Sequence, residues 1–279
     1  MTLHAFLSRL IWLCILPLVA LAVYLAADHV RTLEARHREE AAVLAHNVGT
    51  SIDRHLGAQI SALQMLASSP LMDDPERWSE LYREAQGFQR NFGSHVILVD
   101  PTGQMRFNTR APFGSPLPKL PQVKGHAAMP TVLATGKPAV GDRLFGPVAK
   151  EHLVAVGVPV LRDGRPEYVL LAVIDTKQFQ QRLDELTLPL AWSIGLLDGN
   201  AQLLARRPPE AVAMGESETR RFVVNSTLSP WSVLVEVPQG TASEPTTTAA
   251  VVLALMILGA TLAGVLGGRF ASRRLSRAL

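Results

Sequence analysis

The sequence predicts an α+β protein in which a long N-terminal helix feeds antiparallel sheets and two apolar, membrane-spanning helices flank the whole. Three observations carry this reading. Uncharged apolar stretches lie near both ends, at Leu10–Ala27 and Pro245–Gly268. Between them, Leu44, Val48, Ile52, Leu56, Ile60 and Leu63 recur at three- and four-residue steps, the spacing of one helix face. A strand–turn–strand pattern at His95–Pro118 then returns in shorter form at Ile194–Ala205.

Composition limits the function classes. The 279 residues are 48% hydrophobic and only 18% charged, with one cysteine, Cys14, inside the first apolar stretch. A disulfide framework and a cysteine metal cluster are therefore excluded. The net charge of +3 is a property of the chain ends. Arg9, Arg269, Arg273, Arg274 and Arg277 lie outside the apolar stretches, which leaves 22 basic against 24 acidic residues between them, a net −2. That balance offers no basic face for nucleic acid.

Residues 1–9 read as a cytoplasmic N-terminus and 10–27 as a transmembrane helix, since eighteen uncharged residues cover about 27 Å as a helix. A cleaved signal peptide is the alternative; the length of the run and the unbroken helical pattern beyond it favour an anchor. Residues 246–267 read as the second span and 268–279 as the start of a cytoplasmic linker. Unbalanced arginines outside both spans place both termini in the cytoplasm, with 28–245 on the far side of the inner membrane. Gly264 and Gly268 stand in GxxxG spacing, which permits close helix approach.

Residues 28–92 form the helical stalk: one helix to Ser69, then a shorter one at Pro75–Phe92 with Trp78, Leu81, Tyr82 and Phe88 as packing residues. His37, His46 and His55 follow one another nine residues apart, half a turn out of phase, so they are solvated helix histidines and not a metal triad. Residues 93–188 form a membrane-distal unit. It opens with the apolar run His95–Val99, the turn Asp100-Pro101-Thr102-Gly103 and an extended Gln104–Thr109. Period-two alternation sets Met105, Phe107 and Thr109 on one face and Arg106, Asn108 and Arg110 on the other. A helix at Ala127–Thr135, strands at Pro138–Arg143, His152–Leu161 and Glu167–Ile174, and a helix at Lys177–Leu186 complete it. Residues 189–240 repeat the scheme in reduced form: Ser193–Leu197, an Asp198-Gly199-Asn200 turn, Gln202–Ala205, Arg220–Leu228 and Trp231–Val237. An internal duplication explains this order.

At this point the chain resembles a known family: the extracytoplasmic Cache sensor region, PAS-like and of double-Cache type, of bacterial transmembrane receptors, most like those of sensor histidine kinases. The carrying stretches are ILVDPTGQMRFNTRAPFGSPLP, LATGKPAVGDRLFG, VAVGVPVLRDGRPEYVLLAVID and LSPWSVLVEVP, together with the helix leaving the first span. The Tyr-x-Arg-x-Trp-Tyr motif of amino-acid-binding members is absent from the sequence. The resemblance implies small-molecule sensing, relayed through the second span to an output module beyond Leu279, and a parallel homodimer through the Asp28–Ser69 helix. That helix's apolar stripe could equally be satisfied by the chain's own sheet. The rival readings are a ligand-free periplasmic scaffold or interaction subunit, and the input half of a diguanylate cyclase or chemoreceptor.

No nucleophile elbow, phosphate loop, zinc-binding helix or nucleotide box occurs, so no catalytic residue, metal site or cofactor is expected in this chain. The expected ligand contacts are Arg106, Asn108 and Arg110, whose guanidiniums and amide suit a carboxylate, with Asp142 and Asp175 at two strand ends. By resemblance, an acid such as Asp175 at the end of the last strand meets a ligand amine. The competing explanation is an edge strand using arginine to discourage pairing.

Overall fold

The computed structural model describes residues 3–121, 125–209 and 219–238, together with Gly259; up to Glu34 only some side chains are described. The chain divides into two compact units, one formed by Met1–Glu40 with Pro238–Leu279 and the other by Ala41–Val237. In the first unit, the described backbone apart from Pro238 is helical, mostly the opening part of α1 (Leu3–Ala67). It runs unbroken through Leu10–Ala27 and past Pro17, and Leu21, Tyr24 and Leu25 are exposed on it. Among the described residues no helix is long and apolar enough to cross a membrane, and most side chains of Leu10–Ala27 lie outside them. The second span, 246–267, lies outside them too, apart from Gly259.

The Ala41–Val237 unit is two antiparallel sheets on one helix face. The first sheet is built from β1 (His95–Val99), β2 (Met105–Asn108), β3 (Ala139–Val140), β4 (Leu144–Phe145), β5 (His152–Arg162) and β6 (Arg165–Asp175), in the order β2-β1-β6-β5-β3 with β4 also on β5. The second is built from β7 (Ser193–Leu197), β8 (Leu203–Arg207), β9 (Thr219–Asn225) and β10 (Ser232–Pro238), in the order β8-β7-β10-β9. Each sheet runs from the second strand of its hairpin to the first, then to the last strand of the repeat and the one before it. That shared order matches the repeated order of elements read from the sequence.

The two hairpins agree at the level of single hydrogen bonds. Asp100 Oδ1 accepts from the backbone N–H of Thr102 (2.9 Å) and Gln104 (3.1 Å), and Asp198 Oδ1 accepts from Asn200 (3.0 Å) and Gln202 (2.8 Å). An Asp side chain satisfies the turn's own N–H groups, which is why Asp opens both turns. Each hairpin also carries a one-residue bulge, so that Val99 faces Met105 while Leu98 faces Phe107, and Leu197 faces Leu203 while Leu196 faces Ala205.

The stripe on α1 is buried within the chain itself. Val48, Ile52, Leu56 and Leu63 are buried, as are Ala41, Ala45 and Leu66 beside them, and Leu44 and Ile60 pack partly against the same core. This core takes one face of each sheet: Val96, Leu98, Phe107 and Leu170 from the first, Ile194, Leu196, Val233 and Val235 from the second. The stripe is therefore not free to pair two copies. The helix expected at Pro75–Phe92 is divided. After two 3-10 turns, α2 (Trp78–Ala85) buries Leu81, Tyr82 and Ala85, and α3 (Gly87–Phe92) restarts at a glycine, the weakest common helix former after proline. The strand expected at Pro138–Arg143 shortens to β3, followed by β4.

Two polar contacts clamp α1. Asp53 accepts from Ser226 Oγ (2.5 Å), Thr227 N (2.9 Å) and Thr227 Oγ1 (2.6 Å) in the β9–β10 turn. Burial raises the Asp53 pKa, but these donors outweigh it and hold the carboxyl below its ordinary value. On the adjacent turn, His55 Nδ1 accepts from Arg182 (3.0 Å) in α5 (Thr176–Asp184). Its Nε2 lies 2.9 Å from Gln59 Nε2. Burial, reinforced by the Arg182 charge, pushes His55 down to about 4.

Two outcomes follow. Asp53→Ala strips three donors of their acceptor and should cost about 1–3 kcal/mol in urea unfolding. His55 binds a proton more readily unfolded than folded, so stability should be full above its ordinary value of 6.5 and fall as the pH drops from 6.5 towards about 4. His95, lowered by burial and by Arg110, acts in the same direction. Urea midpoints across that window should therefore fall less steeply, though still measurably, in His55→Gln.

Candidate functional site

The first sheet has a second face, and it is covered. Ile97, Val99, Met105, Leu153, Ala155 and Leu171 alternate with the residues facing α1 and form a separate apolar cluster. Over it lie α4 (Ala128–Thr135), which packs Val132 onto β5 and β6, and the loops Thr109–Pro121 and Gly141–Ala149. The second sheet has no described counterpart of this cover.

Two adjoining cavities open between sheet and cover, with Leu120, Pro121, Leu144, Ala155 and Leu171 in the wall of both. The wider, about 560 Å³, lies between the hairpin turn Pro101–Gly103, Lys119, the start of α4 and Gly141-Asp142. That volume is within the range of small-molecule sites. The narrower, about 40 Å³, is lined by apolar residues apart from Asn108 and Arg110. Lys119 reaches the wall because residues 117–120 pair back onto the hairpin. Gln104 Nε2 donates to Leu117 O (2.9 Å) and Leu120 N to Gly103 O (2.8 Å).

The expected site residues separate into three groups. Asn108 and Arg110 come together in the narrow cavity. Asn108 is buried; its Oδ1 accepts from Arg110 N (3.0 Å), and the partner shown for its Nδ2 is the Met105 sulfur at 3.9 Å, a weak acceptor. Arg110 donates from Nη2 to Asp175 Oδ1 (2.5 Å), while its buried Nε has no hydrogen-bond partner. Asp175 is thus the counter-ion of Arg110; it precedes α5 without capping it and is not in either cavity wall. The end of this sheet also holds the Lys177–Glu151 pair (2.8 Å), where Lys177 lowers the Glu151 pKa and Arg110 lowers it further.

Arg106 is not brought to the site. It is the extra residue of the bulge, which breaks the expected alternation: Met105 turns to the covered face, Phe107 to the α1 face, and Asn108 joins Met105. Arg106 instead meets Asp100 Oδ2 (2.9 Å), with its side chain about half exposed. Burial opposes ionisation of Asp100, but Thr102, Gln104 and Arg106 together keep it below its ordinary value. Asp142 lines the wider cavity, yet its carboxylate is fully buried and turned to other protein groups. Its Oδ2 accepts from His126 N (2.8 Å) and Asn200 Nδ2 (2.9 Å), and its Oδ1 from Gly199 N (2.8 Å). Sequence reasoning missed Lys119 and the start of α4, because only long-range pairing brings them to the sheet.

No family model matches this chain, and no curated protein matches it. Solved structures do. The extracellular domain of a putative histidine kinase aligns at a TM-score of 0.52 with 14% identity, covering 75% of this chain and 97% of that one. The ligand-binding domain of the Pseudomonas aeruginosa amino acid chemoreceptor PctB, in complex with L-Arg, aligns at 0.55 with 15% identity over 74% and 96%. That of the Pseudomonas fluorescens chemoreceptor CtaA, in complex with L-isoleucine, aligns at 0.55 with 13% identity over 76% and 98%. At such identities the likeness establishes the fold. It is the Cache-like fold of extracellular and ligand-binding sensor domains.

Because the Arg110–Asp175 pair is partly exposed, Arg110→Ala should lower unfolding stability by no more than about 1 kcal/mol. A thermal or urea melt checks this, and a much larger loss would assign Arg110 to the fold and not to binding.

Proposed function

We propose that this chain, with the fold of Cache-like sensor domains, is the extracytoplasmic input region of a two-pass receptor in the bacterial inner membrane. It binds a small molecule in the covered cleft of the membrane-distal sheet. The relay runs through the second span to a cytoplasmic output, best matched by a two-component histidine kinase. One observation carries the reading: a cleft of about 560 Å³ beside a narrower cavity lined by Asn108 and Arg110, where Asn108 Nδ2 and the buried Arg110 Nε lack an oxygen acceptor. A carboxylate supplies that acceptor, and Lys119 adds a second cation at the wider end. The apolar walls suit a short carbon skeleton between them. The ligand contacts on this reading are Asn108, Arg110 and Lys119, with Asp175 holding Arg110.

A parallel homodimer is part of the proposal, formed by the face of α1 opposite the buried stripe, where Val43, Ala58 and Met65 are exposed. The lipid bilayer holds the two apolar stretches, and no chemistry is assigned to the chain.

A thermal-shift screen of the purified chain against carboxylates, with and without an amino group, tests the binding step. A ligand at a hundred times its Kd should add about 2.7 kcal/mol of stability, and Arg110→Ala should remove most of that gain. No stabilisation by any member at saturation would favour the ligand-free scaffold instead.

A further inference from the structure

One short segment between β3 and β4, Gly141-Asp142-Arg143, joins the wide cleft, which Gly141 and Asp142 line, to the second sheet. Each of its residues makes a polar contact to the second sheet. Gly141 O accepts from Trp231 Nε1 (3.2 Å) at the foot of β10. Asp142 takes the Gly199 N–H and the Asn200 amide of the β7–β8 turn. Arg143 N donates to Asp198 Oδ2 (3.1 Å) and Arg143 Nη1 to Leu203 O (3.2 Å). On its other side the segment is tied to the cleft: Asp142 N donates to His126 O (2.7 Å), and Asp142 Oδ2 accepts from His126 N, just before α4 begins.

We propose that Gly141–Arg143 is the relay by which occupancy of the distal cleft is read by the membrane-proximal sheet, with the Asp142 carboxylate as its coupling group. This rests on the reading of the cleft as the ligand site.

The junction has no slack. A methyl group on Gly199 would stand 2.7 Å from His126 Nδ1, 2.8 Å from Pro230 Cβ and 2.9 Å from Asp142 Oδ1. A methyl group on Gly141 would stand 2.9 Å from Ala128 N, the first residue of α4. Displacement of the α4 lead-in therefore pushes on the Asp198–Asn200 turn directly, because close-packed contacts transmit strain and do not absorb it. The hydrogen bonds add direction. A buried carboxylate with several N–H donors cannot let one go cheaply, since the donor and the charge would each lose a partner away from solvent. Ligand contact at Gly141, Asp142 or the α4 start thus bears on the same atoms that hold the second sheet.

A second bridge makes the assignment testable. In α5, Gln180 Nε2 donates to Arg206 O (2.8 Å) and its Oε1 accepts from Arg206 N (3.0 Å), so the carboxamide extends the edge of β8. No α5 residue lines either cavity. The α5 bridge holds the sheets together whatever the cleft contains, whereas the Asp142 bridge reports its contents. Trp231 leads the report into β10, the strand that the second apolar stretch follows in sequence.

The test uses the full chain in lipid nanodiscs and hydrogen–deuterium exchange, with a substitution that fills the cleft in place of any ligand. Met129 lies in the wall of the wide cleft, and Met129→Trp fills part of it. Relative to wild type, Met129→Trp should change exchange severalfold at Asp198–Gln202 and at Ser232–Val237, and leave Arg206 unchanged. In the Met129→Trp background, Asp142→Asn should erase both changes. Trp231→Phe, which keeps an aromatic ring and removes the N–H, should erase the change in β10 alone; it covers the case in which Asp142→Asn does not fold. The proposal is overturned if Met129→Trp leaves both segments at wild-type exchange, or if its effects persist in full in both double variants. An inert ligand screen beside a transmitted Met129→Trp effect would sink the ligand reading and keep the relay; ligand binding beside an inert Met129→Trp would do the reverse.

Discussion

Everything else in the Ala41–Val237 unit follows from one packing constraint: a single helix face serves as the floor of two sheets. The stripe from Ala41 to Leu66 is shared, with Gly49 lying against Val224 and Val233 of the second sheet and Leu56 and Leu63 buried in the same core as the first. Burying apolar side chains gains roughly 25 cal/mol per Å², so this shared face favours folding of the unit. It also settles which face of each sheet is left over. In the first sheet the remaining face carries Ile97, Met105, Ala155 and Leu171 and must be covered, and the cover leaves the cleft. In the second, the remaining face carries Ser193, Glu236 and Arg206, an ion-paired surface that water can reach (Arg206 Nη2 to Glu236 Oε2, 2.9 Å; Ser193 Oγ to Glu236 Oε2, 3.0 Å). The first sheet thus backs a container, and the second a platform.

The parts of this arrangement legible in the sequence are the local ones. Asp-Pro-Thr-Gly and Asp-Gly-Asn announce turns because their side chains hydrogen-bond their own backbones, and both do so here. The stripe on α1 was legible as a buried face, since period 3.6 survives whatever covers it, but its partner was not. The bulge at Arg106 was invisible. A period-two pattern cannot show one extra residue, and that residue alone moved Arg106 out of the site and Asn108 into it.

The long-range polar contacts were illegible for a different reason. Asp142 reads in the sequence as an acid at a strand end, and nothing in its neighbourhood says that its acceptors are filled by a turn more than fifty residues later. The same holds for His55, which reads as a solvated helix histidine. It is instead held between Arg182 and Gln59, with Phe179 edge-on to its ring at 6.5 Å. Charge and hydrogen-bonding capacity are written in the sequence, whereas the partner that uses them is a property of topology.

That distinction bears on what the cleft can hold. Arg110 already has a counter-ion, so a ligand carboxylate must outdo Asp175 or share the guanidinium with it. A partly exposed pair of this kind is worth about 0–1 kcal/mol, while a hydrogen bond to a charged group contributes about 1.5–3 kcal/mol. A carboxylate that merely displaced Asp175 would gain little, because it would strand a second anion beside the first. One that leaves Nη2 on Asp175 and takes the unpartnered Nε together with the Asn108 amide gains two contacts and loses none. The ion pair then holds the Arg110 side chain in place at the wall of the narrow cavity. On this account Asp175 positions Arg110 and does not bind the ligand itself.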